Sequence, residues 1–119
     1  MRSTEKFLRS MYRAFNERDI GAVLERMHPD VDWPNAWEGG RVIGRAAVSE
    51  YWTRQFSVIS SKVDPEGFTE EPDGSIVVDV HQLVHDAKTG ELLSDSRVRH
   101  RYRLEAGLVV RMDVLEPAR

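Results

Sequence analysis

Residues 97–104 read Arg-Val-Arg-His-Arg-Tyr-Arg-Leu, with arginine at every odd position and Val98, His100, Tyr102 and Leu104 at the even ones. Only an extended strand turns a period of two into two faces. One side of this segment is then a row of cations, and the other is an apolar row carrying one imidazole and one phenol. An imidazole on an apolar face loses hydration, which lowers its pKa and holds it neutral, the state that accepts a proton from an acidic carbon or hydroxyl. His100 is therefore the expected catalytic base, with Gln82 or Tyr102 placed to orient it or to hold a carbonyl oxygen. The plainer role for the same side chain is a core histidine satisfied by one hydrogen bond, to Tyr102 or to water.

Two other constellations invite chemistry. Asp79, Arg99 and Asp113 are expected side by side on three neighbouring strands. Parity puts them on the face away from Val80, Val98 and Val114, where they make a salt-bridged surface or a dimer seam. His81 and His85 lie close to Asp79 and Asp86, but residues four apart in a strand are about 13 Å apart, too far to share one ion, so no metal is expected. The arginine row is offset by Asp79, Asp95 and Asp113, which argues against a nucleic-acid surface.

The elements that must position these groups follow from periodicity. Phe7, Leu8, Met11 and Phe15 recur at helical spacing over residues 3–18, with Tyr12 at the edge of the stripe. Asp19 is placed to cap a second helix facing inward through Ile20, Val23, Leu24 and Met27, which Pro29 limits. Val31 and Trp33 alternate in a brief strand that Pro34 ends. Residues 35–40 read as a loop, a lip over a cavity in which Asn35 and Trp37 meet a ligand. Val48, Tyr51, Trp52 and Phe56 mark a third helix, with the Tyr51 hydroxyl available to a pocket. From residue 60 the period changes to two, giving strands over 61–69, 75–85, 97–104 and 108–115, joined by turns at Pro72-Asp-Gly74, Lys88-Thr-Gly90 and Glu105-Ala-Gly107. Helices first and hairpins afterwards define an α+β fold. The register predicts Val84 opposite Ser94, Val80 opposite Val98, Val78 opposite His100 and Ile76 opposite Tyr102. It also predicts Met112 opposite His100 and Val114 opposite Val98.

The chain has 119 residues, of which 40% are hydrophobic, enough for one compact domain with a real core over residues 1–119. A net charge of −3 gives no general affinity for nucleic acid, and the absence of cysteine excludes disulfides and thiolate nucleophiles. The first residues lead into a charged helical pattern without a long apolar run, so a soluble, cytoplasmic protein without a membrane span is expected.

The stretches Tyr12-Arg-Ala-Phe-Asn-Glu-Arg-Asp19, Pro29-Asp-Val-Asp-Trp33 and Gly44-Arg-Ala-Ala-Val-Ser-Glu-Tyr-Trp52, followed by a strand-rich half, resemble the SnoaL-like branch of the nuclear-transport-factor-2-like (ketosteroid-isomerase-like) superfamily. The resemblance implies a cone-shaped α+β barrel of cystatin-like form. Three helices would pack on a curved, mainly antiparallel mixed sheet, with a cavity between them and a homodimer formed through the outer sheet face. It places the isomerase branch's carboxylate base near Asn35, its strand acid at His100 and its helix tyrosine at Met11, one place short of Tyr12. Asn35 cannot take a proton from carbon at neutral pH, which leaves His100 as the acid/base group. The expected protein binds a small apolar or aromatic, oxygen-bearing metabolite. Tyr12, Asn35, Trp37, Tyr51, Gln82, Tyr102 and Met112 contact it, no cofactor is needed, and His100 drives isomerisation or cyclisation by proton transfer. A non-catalytic binding or dimeric assembly module is the second reading. Epoxide-hydrolase-like water activation by Asp79, Arg99 and Asp113 is the third.

Overall fold

The computed structural model describes residues 2–35 and 38–115. The first helix, α1 (Arg2–Asn16), buries Leu8, Met11, Tyr12 and Ala14 on one stripe. It ends two residues before the periodicity does, because Arg18 adopts φ 62°, a left-handed conformation that a helix cannot continue. Asp19 then caps α2 (Ile20–Glu25), its Oδ1 accepting from the Ala22 amide at 3.2 Å. Met27, expected on the inward face of α2, instead opens strand β1 (Met27–Pro34) and is fully buried there. A short β2 (Arg41–Ile43) follows, then α3 (Arg45–Phe56) with Val48, Tyr51 and Trp52 buried.

The remaining chain forms four long strands, β3 (Ile59–Glu70), β4 (Ile76–Asp86), β5 (Leu92–Glu105) and β6 (Leu108–Leu115). The six strands lie in the order β2-β1-β6-β5-β4-β3, antiparallel throughout except for the parallel pair β1–β6. The sheet is open, with β2 and β3 at its edges, and α1 and α3 pack against it. The core lies between these layers: Val78 and Val80 on β4, Tyr102 on β5, Val31 on β1 and Val109 on β6 meet Leu8, Val23 and Val48 of the helices.

The β4–β5 register is the one read from the sequence, with Val84, Val80, Val78 and Ile76 opposite Ser94, Val98, His100 and Tyr102. The β5–β6 register differs by two residues: Met112 lies opposite Tyr102, and Val114 lies opposite His100. The cause is local. Ala106 (φ 51°) and Gly107 (φ 79°) make a two-residue turn, which alone would set His100 against Asp113 and carry a carboxylate to the inner face. A bulge between Arg103 and Leu104 leaves Val110 unpaired and restores the parity. Asp113 therefore stands opposite Arg101, not beside Arg99 as expected. β5 also starts five residues before its apolar alternation, since Ser94, Asp95 and Ser96 carry no hydrophobic period to reveal it.

Candidate functional site

His100 sits in the middle of the sheet, between Val78 and Val114, and is 8% exposed. Its Nδ1 lies 2.8 Å from the hydroxyl of Tyr12, and the Tyr102 hydroxyl donates to the Tyr12 oxygen at 2.7 Å. The Tyr12 ring lies parallel to the imidazole at 8°, and the Tyr102 ring meets both edge-on. Burial pushes the imidazole pKa down to about 4, because an imidazolium here would lose its hydration. Burial also raises the pKa values of Tyr12 and Tyr102, so both phenols stay protonated.

These facts favour one tautomer. With Tyr102 donating to Tyr12, the Tyr12 proton is free to go to Nδ1, and the remaining proton of the neutral ring stays on Nε2. The other tautomer sends Nδ1–H to a Tyr12 oxygen that already accepts from Tyr102. The buried Tyr12 proton then has no acceptor, at a cost of about 1–3 kcal/mol. At rest His100 is therefore a hydrogen-bond donor through Nε2.

A cavity of about 270 Å³ opens between α1, α3 and the inner face of the sheet. Trp33 of β1 and Trp52 of α3 cross at 85° with centroids 5.6 Å apart and form one wall. Val98 and Met112 line the sheet side, and Val114, 45% exposed, marks where the cavity reaches solvent. A second polar pair lies on the neighbouring strands, where Gln82 Nε2 donates to Ser61 Oγ at 3.3 Å. Among the described residues no Asp, Glu, Lys or Arg lines the cavity, so it offers no counter-charge to a phosphate, a carboxylate or an amine.

Of the residues singled out in the sequence, Tyr12, Tyr51, Gln82, His100, Tyr102 and Met112 come together around this space. Asn35 does not line it. Its Nδ2 donates to Glu38 Oε1 at 3.0 Å and its Oδ1 accepts from the Glu38 amide at 2.7 Å, so its side chain closes the loop instead. Trp37 lies outside the described residues. The group that orients His100 is Tyr12, not the expected Gln82 or Tyr102, and Tyr102 acts one bond further back. Trp33 and Trp52, whose spacing reads first as core packing, line the cavity, and so does Ser61, which shares the inward parity of Val63 and so carried a signal.

The Asp79, Arg99 and Asp113 set lies on the other face of the sheet. Arg99 Nε is 3.4 Å from Asp79, while Asp113 pairs with Arg111 at 2.9 Å and Arg41 at 3.1 Å. A water activated there could not reach a ligand in the cavity, and the third reading loses its constellation. His81 pairs with Asp95 at 2.6 Å. Among the described residues no three His, Cys, Asp or Glu side chains are grouped to hold a metal ion, and no helix is long and apolar enough to cross a membrane.

Helices laid on an open mixed sheet, with a cavity enclosed between them, define the cystatin-like α+β cone of nuclear-transport-factor-2-like proteins. The family model for the SnoaL-like domain matches residues 8–112, and the chain belongs to that family. The solved structure of TerC co-crystallised with polyporic acid is 25% identical, covering 96% of this chain and 91% of that one at a TM-score of 0.81. A nuclear-transport-factor-2-like protein of unknown function from Burkholderia pseudomallei is also 25% identical, covering 98% and 92% at 0.83. A Mycobacterium tuberculosis protein, solved in complex with estradiol-17beta-hemisuccinate, is 20% identical and shares the fold over 92% and 89% at 0.77. Among curated proteins no sequence matches.

Proposed function

We propose that residues 1–119 act as one cytoplasmic, homodimeric unit that binds an uncharged apolar or aromatic metabolite carrying oxygen, with His100 as its polar anchor. The observation that carries this reading is a neutral imidazole, backed by two buried tyrosines, in the wall of a mostly apolar cavity with no charged side chain among its described lining residues. A small number of placed polar groups in an apolar cleft is the general form of a small-molecule site. The likeness to TerC, co-crystallised with polyporic acid, supports the binding of a small organic ligand.

Catalysis, in this reading, is cofactor-independent isomerisation or cyclisation. His100 is the base: shifted to the Nδ1–H tautomer, at the cost given above, its Nε2 takes the proton from a carbon beside a carbonyl and, as the imidazolium, returns it to the ligand at the new position. That cost, and the lack of a carboxylate in the cavity among the described residues, is the specific observation favouring the second reading, a binding module without turnover.

One experiment separates them. Ligand binding is followed by quenching of Trp33 and Trp52 fluorescence with hydroxylated and keto polycyclic compounds, and deuterium uptake at the acidic carbon of each bound ligand is read by NMR. Uptake lost in His100→Ala with binding retained supports proton transfer. Tight binding without uptake in the wild type supports the module, and no quenching by any member removes both.

A further inference from the structure

The cavity has two polar stations, not one, and the mechanism around His100 leaves the second unused. His100 pairs with Val78 of β4, whereas Gln82 lies four residues further along the same strand, about 13 Å away. Ser61 comes alongside from β3 and accepts the Gln82 amide proton. Between the stations the inner face carries Val80 and Val98, directly opposite one another, and Val63 lies opposite Gln82 itself. The two stations thus mark a span of about 13 Å along one cavity, walled by the Trp33–Trp52 pair and the inner face of the sheet.

The two stations differ in sense. His100 presents an N–H donor, while Gln82, its Nε2 engaged by Ser61, presents the carbonyl Oε1, with the Ser61 hydroxyl proton beside it. Gln82 is only half-buried, as befits a group placed toward the open side of the cavity. A ligand that covers this pair strips water from the Gln82 carbonyl, so an apolar ligand would leave that acceptor without a partner where a ligand hydroxyl would supply one.

We infer that the site reads its ligand at both ends: it takes a flat, uncharged molecule two to three rings long, with one oxygen held by His100 and a second, about a strand's length away, held by Gln82 and Ser61. This rests on the reading of the cavity as a ligand site and narrows the class it accepts. Single-ring compounds and long alkyl chains satisfy one station at most.

The test uses fluorescent probes that differ by one hydroxyl, trans-4,4′-dihydroxystilbene and trans-4-hydroxystilbene, titrated into the 119-residue chain. The diol is expected to bind roughly five- to tenfold more tightly, the worth of one hydrogen bond. In Gln82→Met, and in the milder Ser61→Ala, the two probes are expected to bind alike. Equal affinities in the wild type, or a preference that survives both substitutions, overturn the two-station site while leaving the cavity a ligand site. Failure of either probe to bind, together with no quenching by the polycyclic panel above, removes the parent reading and this one with it.

Discussion

At the scale of single residues, the site depends on a chain of three side chains, Tyr102 to Tyr12 to His100. Tyr12 is its middle link, so Tyr12→Phe breaks two hydrogen bonds and Tyr102→Phe breaks one. Tyr12→Phe is expected to destabilise the protein by about 2–3 kcal/mol and Tyr102→Phe by about 1 kcal/mol, read from urea denaturation. A reversed order would mean that Tyr12 does not bridge the two. The imidazole sets an acid limit on stability. Above about pH 6.5 the ring is neutral in both native and unfolded chains. Below it the unfolded chain takes up a proton that the native ring refuses until about pH 4, so stability falls through that window and levels off beneath it. The difference amounts to about 3 kcal/mol, and His100→Gln, which keeps an acceptor for Tyr12 but cannot titrate, should lose that much less stability between pH 7 and pH 4. Identical acid dependence in the two proteins would place His100 outside the apolar face. The sequence made His100 and Tyr102 legible because they alternate with arginines on one strand. It did not reveal Tyr12 as their partner, since a contact between residues 88 apart leaves no mark in local spacing.

At the scale of elements, the strand parities were readable because the inward positions are apolar or uncharged and the charged residues of β5 and β6, with Asp79 of β4, fall on the outward ones, so a slip of one residue is costly. What was not readable is how the chain keeps that parity after an even-length turn. The bulge at Arg103 and Leu104 has no signature in residue type, and the parallel pairing of β1 with β6 brings together segments with no turn between them. The β5 residues Ser94 to Ser96 likewise form a strand through backbone pairing, with no apolar alternation to announce it. The Ala106-Gly107 turn is the element's weak point: a Cβ in the left-handed region is disfavoured, and Asn is the residue that tolerates it best ahead of Gly. Ala106→Asn is therefore expected to stabilise the protein by about 0.5–1 kcal/mol, raising the melting temperature by roughly 4 °C in calorimetry with the cavity unchanged. A lower melting temperature would contradict the two-residue turn. The loop after β1 is held differently. Glu38 takes a bidentate contact from Arg54 of α3 at 2.9 and 3.0 Å, and that contact, with the Asn35 amide, draws its carboxyl pKa down to about 2. This latch fixes the loop beside Pro34 and Gln55, two residues of the cavity wall.

At the scale of the whole molecule, the two faces of one sheet are put to separate uses. The inner face holds the cavity; the outer face is a lattice of charges spanning β2 to β3, in which Asp32 pairs with Arg41 and Arg111, Asp113 with Arg41, Arg111 and Arg101, Asp79 with Arg99, and Glu66 with Arg97. Ion pairs at a solvated surface contribute about 0–1 kcal/mol each, too little for the fold to require so many. In the single chain, moreover, the Nε atoms of Arg99 and Arg101 are buried without a hydrogen-bond partner. A face of intermixed cations and carboxylates is self-complementary, which is what a two-fold interface needs, since each patch must meet its own copy. The homodimer proposed above would use this face, and on that proposal its stability would be electrostatic. Light scattering is expected to find a dimer at about 50 mM salt that weakens toward 0.5 M, where the screening length falls from about 14 Å to about 4 Å. Arg101→Glu, which sets a carboxylate opposite Asp113, should shift the protein to monomer at low salt while quenching of Trp33 and Trp52 by ligand persists, because Arg101 points away from the cavity. A monomer at every salt concentration, or a dimer indifferent to Arg101→Glu, would assign the charge lattice to solvent and leave the cavity as the only part of the sheet built for a partner.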